Sequence, residues 1–245
     1  MFFVEEVYRY LAEEGRLFDA EGRFRTDLVI GEVDVPAGVR LVIGRRLRRL
    51  QAETPPVLTA AAAFGRAFSV ELLEALGDVG PDAILDAVED AERARLIVPA
   101  PDPSGEDRFI FAHELIRQTL LAELSLTRRR RLHARVADAL ERHHAGSIES
   151  HAAGIAHHLL EAGRVGEVGR AFRYLVQAGR FAMDGAAFEE ALNHYQRASA
   201  LEAVGEPAER AELLFELGTA RRSARQLDAA VDAWRQSLDG YEELG

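Results

Sequence analysis

Cysteine and lysine are both absent from this 245-residue sequence. Without cysteine there can be no disulfide, thiolate zinc site, iron–sulfur cluster or cysteine nucleophile. Without lysine all 30 basic residues are arginines. A P-loop, whose lysine reaches the β- and γ-phosphates of a nucleotide, is therefore excluded from these residues. No apolar run approaches the roughly 20 residues needed to span a bilayer. The opening Met1-Phe2-Phe3-Val4-Glu5-Glu6 lacks the basic region of a signal peptide. These features predict a cytoplasmic protein with no membrane partner. The formal net charge of −11 removes any global attraction to nucleic acid or anionic lipid. What remains is ordinary for a folded chain, with 48% hydrophobic and 29% charged residues.

Three regions differ in pattern. Residues 1–50 read as an amphipathic helix over Phe2–Glu14, stopped by Gly15, then two short strands around Gly22, then a second helix opened by Pro36. In that second helix Val39, Ile43, Leu47 and Leu50 face inward while Arg45, Arg48 and Arg49 face out. Residues 51–125 read as three short helices, Pro56–Phe64, Ser69–Leu76 and Pro81–Arg95, followed by a β-hairpin from Leu96-Ile97-Val98 to Phe109-Ile110-Phe111 across a tip rich in Pro, Asp and Gly. Three helices followed by a hairpin is the element order of a winged helix. From residue 126 the pattern is helical only. The expected fold class is thus mainly α, a winged-helix domain with its hairpin followed by a helical solenoid.

The last third contains an internal repeat. Leu175, Gly179, Ala191, Tyr195 and Ala198 align with Leu214, Gly218, Ala230, Trp234 and Ser237, each pair 39 residues apart. Small residues twelve apart, with an aromatic four beyond the second, match the helix–turn–helix of a tetratricopeptide repeat (TPR), here over about 171–204 and 210–243. Glycine and alanine let two helices approach closely, and the aromatic fills the space between neighbours. By this register the concave positions are Arg173, Val176, Arg180, Glu212, Phe215, Thr219 and Arg222. They are the candidate partner-binding residues. Only two units are clear, and an uncapped solenoid end suggests a continuing chain.

Other motifs that could carry chemistry reduce to structural roles. A winged helix invites DNA binding, but residues 51–125 hold 14 acidic and 5 basic residues, a surface that phosphates would repel. The runs Arg128–Arg131 and Arg45, Arg46, Arg48 and Arg49 read as solvated helix faces paired with acids such as Asp138 and Glu141. A sharper alternative gives Arg45 or Arg46 a contact with a nucleotide-binding core. His143, His144, His151, His157 and His158 show no i, i+4 pair, and His151 and His158 stand about 10.5 Å apart along a helix, too far to share one metal ion. They and His113 read as packing histidines. No serine sits in a G-x-S-x-G context. Catalytic, cofactor-binding and metal residues are therefore all expected to be none.

Several stretches, taken in order, resemble a known family. Phe2-Phe3-Val4-Glu5-Glu6-Val7 is similar to the helix after a Gly-Asn-Pro motif. Val35-Pro36-Ala37-Gly38-Val39-Arg40 and Arg46-Leu47-Arg48-Arg49-Leu50 resemble the helix leaving an ATPase lid. The stretch from Leu58 to Phe68 resembles a first winged-helix segment, Phe111-Ala112-His113-Glu114-Leu115-Ile116-Arg117 the stretch after the wing, and His157-His158-Leu159-Leu160-Glu161-Ala162-Gly163 a first TPR-like hairpin. Together they resemble the C-terminal half of the signal-transduction ATPases with numerous domains, the STAND group. These are AAA-like NTPases of bacteria, often joined to class III adenylate cyclases or LuxR-type regulators. The resemblance implies a lid remnant at 1–50, a winged helix at 51–125 acting as an intramolecular regulator, and a helical arm at 126–245 whose groove takes a protein partner or small inducer. It also implies that ATP and magnesium belong to an ATPase core that these residues do not contain, Met1 standing where the proline of the Gly-Asn-Pro motif would be, so that the chain reads as a fragment without enzymatic activity of its own. The alternatives are a DNA-binding winged-helix transcriptional regulator and a part of a cyclase-linked ATPase. Exposed Phe2, Phe3 and Val7 would favour self-association.

Overall fold

The computed structural model describes residues 43–101, 107–163, 165–201 and 205–244. The expectations for residues 1–42, including the Phe2–Glu14 helix and its apolar face, and the hairpin tip at 102–106 lie outside the described residues. The described residues are mainly helical with one small sheet, and the chain divides into two units, with the boundary after Ser125.

In the first unit, residues 43–47 are helical and bury Ile43 and Leu47 while Arg45, Arg46, Arg48 and Arg49 stay exposed, as the periodicity predicts. Helix α1 (Thr54–Phe64) begins two residues earlier than the sequence suggests, with Pro55 and Pro56 in its first turn, where a missing N–H is harmless. Its N-cap Glu53 makes no side-chain cap. The segment leading into it is tied down from farther along the chain: the Asp90 carboxylate accepts the Gln51 N–H at 3.0 Å and the Thr54 hydroxyl at 2.9 Å. Replacing Asp90 by alanine leaves the buried Thr54 hydroxyl without this acceptor and is expected to cost about 1–2 kcal/mol in urea unfolding followed by circular dichroism, whereas a loss under 0.3 kcal/mol would show that the tie is idle.

Ser69 caps helix α2 (Val70–Leu76) by accepting the Leu72 N–H. Gly80 and Pro81 open helix α3 (Pro81–Arg93), which stops two residues short of the expected Arg95 because Arg95 turns to φ 55°. The hairpin is present as β2 (Ile97–Pro99) and β3 (Arg108–Phe111), paired antiparallel with Ile97 opposite Phe111. A third strand, β1 (Ala67–Ser69), pairs with the other edge of β3 and gives the order β1-β3-β2. Three residues are too few to show alternation, so this strand was invisible in the sequence. Phe68 and Phe111, with ring centroids 5.5 Å apart, sit with Leu58, Ile84 and Leu115 in one core. Each buried Phe contributes about 1.5–3 kcal/mol. His113 caps helix α4 (Glu114–Ala122) by accepting the Leu115 N–H.

Among the described residues the second unit has six helices: α5 (Leu126–His143), α6 (Ile148–Ala162), α7 (Val165–Asp184), α8 (Phe188–Ser199), α9 (Pro207–Ser223) and α10 (Leu227–Glu242). Each packs on the next in sequence, as in a solenoid of hairpins. Asp138 and Glu141 are gripped by Arg170 from α7 at 2.9 and 2.7 Å. Tyr174 donates its hydroxyl to Glu141 at 2.6 Å. Burial and that carboxylate push its pKa up to about 12.

Candidate functional site

The 39-residue register governs more than side-chain size. Helices α8 and α10 start 39 residues apart, at Phe188 and Leu227. The turns before them repeat as well. Ala186 (φ 58°) and Arg225 (φ 62°) both turn left-handed, and the next N–H in each, Ala187 and Gln226, returns to a carbonyl five residues back at 2.8 Å. This is the hydrogen bond of a Schellman helix end, made here without glycine. The glycines act where helices touch. A Cβ on Gly179 would overlap the Tyr195 ring, with Tyr195 Cδ1 2.6 Å away, and one on Gly218 would come within 2.5 Å of Trp234 Cδ1 and Nε1. Each aromatic of the second helix is therefore seated on a glycine of the first.

The same period extends one unit upstream, where it is not legible in the sequence. Helices α5 and α6 span the positions one period before α7 and α8. There Leu140 holds the glycine position and Ala156 the aromatic position. A large residue stands where the later units have glycine and a small one where they have an aromatic, so a search for glycine and aromatic misses the unit.

Four of the seven expected groove residues, Arg173, Val176, Arg180 and Glu212, line one cavity of about 420 Å³ on α7 and α9. Its apolar lining is Phe172, Val176 and Phe181, and its acids are Glu149, Asp184, Glu209 and Glu212. Arg180 spans it by donating from Nε to Glu216 at 2.6 Å and from Nη2 to Glu212 at 2.8 Å. The neighbouring Tyr195 hydroxyl is raised well above its usual pKa, first by burial and then by the Glu216 charge. Glu209 also holds the start of α9 by accepting the Glu206 N–H at 2.8 Å. The other three expected residues fall one unit on. The Phe215 carbonyl accepts from Trp234 Nε1 at 3.2 Å and from the Thr219 hydroxyl at 3.0 Å, and the Arg222 guanidinium lies over the Trp234 ring at 5.9 Å.

Phe181 and Asp184 continue the stripe of Arg173, Val176 and Arg180 and could have been read from it. Glu149 and Glu209 come from the starts of two other helices, which a local stripe does not reveal. The lining thus combines apolar side chains with arginines and carboxylates, the composition of a ligand pocket. Among the described residues no group of three or more His, Asp or Glu side chains is placed to hold a metal ion. The histidines pack in two groups: His133 and His158 meet through Nδ1 at 2.9 Å, and the rings of His144 and His151 stack at 3.4 Å. No described helix is long and apolar enough to cross a membrane.

No family model matches this sequence, and no curated protein matches it. Among solved structures the chain is similar to a STAND protein. That structure is the crystal structure of a signal transduction ATPase with numerous domains carrying a tetratricopeptide repeat sensor, from Pyrococcus horikoshii. The identity is 15% and the TM-score 0.37, over 88% of this chain and 36% of that one. This chain therefore spans about a third of that protein's length, and at such values the likeness does not bear on activity.

Proposed function

We propose that this chain is a non-catalytic regulatory and sensor segment of the STAND type. The unit ending at Ser125 serves as a winged helix that packs within its own protein, and the helical unit is a TPR-like arm whose cavity receives a protein segment or a small inducer. The observation that carries this reading is the cavity itself. Repeat register alone points to Arg173, Val176, Arg180 and Glu212, and all four line it. ATP and magnesium belong, on this reading, to a nucleotide-binding core that a lysine-free chain does not supply.

Two measurements test it. The 245-residue chain is expected to show no ATP turnover above buffer in a phosphate-release assay. In a protein that joins this chain to a P-loop core, removal of residues 126–245 is expected to change basal turnover at least fivefold and to abolish any response to an inducer. Turnover by the chain alone, or an unchanged basal rate in the deletion, would refute the reading. The DNA-binding alternative gains no support from the exposed face of α3, which carries Asp82, Asp86, Glu89 and Glu92. Facing phosphates, that surface is repulsive.

A further inference from the structure

The cavity on α7 and α9 has a neighbour. A second cavity, of about 150 Å³, lies among α6, α7 and α8, and Glu149 and Phe181 line both. A whole ligand takes about 300–1,000 Å³, so the second cavity suits one polar head whose body lies in the first. Its polar lining is Glu149, Ser150, Glu190 and His194. These groups are acceptors. Ser150 donates its hydroxyl proton to the Ser147 carbonyl at 2.9 Å, which leaves its oxygen to accept. His194 is 7% exposed, with Nε2 3.6 Å from Glu190 Oε1. With its proton on Nε2, beside that carboxylate, Nδ1 is an acceptor, and among the described residues it has no hydrogen-bond partner. A buried acceptor left unpaired is costly, and a donor that reaches it relieves the cost.

Charge points the same way. Asp184, one turn beyond Phe181 on α7, adds a third carboxylate at this end of the first cavity. Arg180, the nearest cation on the same helix, is already held by Glu212 and Glu216 at 2.8 and 2.6 Å. Arg173 stands eleven residues before Asp184, about 16 Å away along the helix axis. Phe181 is 50% exposed, and an aromatic ring with carboxylates around it is the surround of an ammonium or guanidinium group. We propose that this end of the cavity binds a small organic cation. Its ammonium or guanidinium head lies among Glu149, Asp184 and Glu190, and its apolar stem runs along Phe181 and Val176. The volume of the first cavity, about 420 Å³, is that of a small-molecule pocket. Both cavities are walled by α6 to α9, and neither involves α10. The proposal rests on the reading of this cavity as a ligand site and names the chemistry of the ligand.

The probe is phenylbutylamine, a protonated head on an apolar stem, compared with phenylbutanol and phenylbutyrate as its neutral and anionic twins. Each is titrated into the 245-residue chain at pH 7 and low salt, with binding followed by calorimetry and ligand-observed NMR. The amine is expected to bind with a Kd of about 1 mM or tighter, at least tenfold tighter than either twin. Glu149→Gln and Asp184→Asn are each expected to weaken the amine at least threefold, and the double variant at least tenfold, with the alcohol unchanged. Both positions are exposed, so the variants are expected to retain the wild-type far-ultraviolet circular dichroism. Equal binding of the amine and its twins would overturn the cation while leaving the cavity a ligand site. Binding by none of the three would overturn the proposal, and the deletion of residues 126–245 then decides separately whether the arm is a sensor. Amine affinity unchanged in the double variant would send the head elsewhere and overturn the proposal. A capped Ala-Leu-Arg-Leu-Ala peptide that binds at least tenfold more tightly than the amine, and loses that affinity in the double variant, would overturn it too, by making a protein segment the occupant.

Discussion

Replacing Gly179 by alanine is expected to destabilise the helical unit by about 2 kcal/mol, although alanine is the better helix former. Two effects oppose each other. Alanine in a helix interior returns about 1 kcal/mol relative to glycine. Against this, the new Cβ would lie 2.6 Å from Cδ1 and Cζ of Tyr195, closer than carbon atoms can approach. Overpacking a filled core costs about 1–3 kcal/mol and occasionally more. The upper end applies here because Tyr195 is 1% exposed and shares a core with residues of α7 and α9, so the ring has no void to enter. Urea unfolding with linear extrapolation measures the difference.

The paired variant separates the cause. Gly218→Ala brings its Cβ equally close to Trp234, but that ring is half-buried at an open face and can swing outward. Its expected cost is about 1 kcal/mol or less, including the strained bond from Trp234 Nε1 to the Phe215 carbonyl. In Gly179→Ala/Tyr195→Leu the loss should be smaller than the sum of the two single losses, because the second change removes the ring that the first one strikes. A neutral or stabilising Gly179→Ala would mean that the aromatic is not keyed to the glycine, and the physical basis of the repeat reading would fail.

Legibility in the sequence followed the range of the interaction. The Gly179–Tyr195 and Gly218–Trp234 seats were readable because each is a pair of unusual sizes at a fixed spacing inside one hairpin. The equivalent positions one period upstream, Leu140 and Ala156, hold common helix residues and leave no mark in composition. The left-handed turns at Ala186 and Arg225 also escape notice, since glycine is the residue a reader looks for there. In the first unit the helices and the hairpin followed from capping residues and alternation, but strand β1 did not. Its three residues, Ala67 to Ser69, are defined by the partner strand, about 40 residues away, and not by their own pattern. The Asp90 tie is of the same kind, reaching Thr54 across 36 residues. Likewise the cavity drew its stripe from α7, which periodicity shows, and its acids Glu149 and Glu209 from α6 and α9, which only the packing brings there. Local regularities could be read from the residues alone, whereas contacts between elements needed the fold.

Acidification from pH 7 to pH 5 is expected to cost the helical unit about 2 kcal/mol through one histidine pair. His133 on α5 and His158 on α6 are both buried and meet Nδ1 to Nδ1 at 2.9 Å, one ring donating its N–H to the unprotonated nitrogen of the other. Burial, and then the nearby charges of His133 and His157, hold the pKa of His158 down to about 3, while an unfolded histidine titrates near 6.5. Below pH 6.5 the unfolded chain therefore binds a proton that the folded chain refuses. The stability from the uncharged His158 is fully present above pH 6.5, falls by about 2 kcal/mol at pH 5, and continues to fall toward pH 3. Carboxylates remain ionised above about pH 5, so the upper part of this window isolates the histidines. His133→Leu/His158→Leu removes both partners together and leaves no buried nitrogen without a bond, a replacement that can be nearly neutral at pH 7. Urea midpoints of this variant should change by less than half as much as wild type between pH 7 and pH 5. If both proteins lose stability in parallel over that range, the proton is taken up elsewhere and the pair does not resist acid as its burial requires.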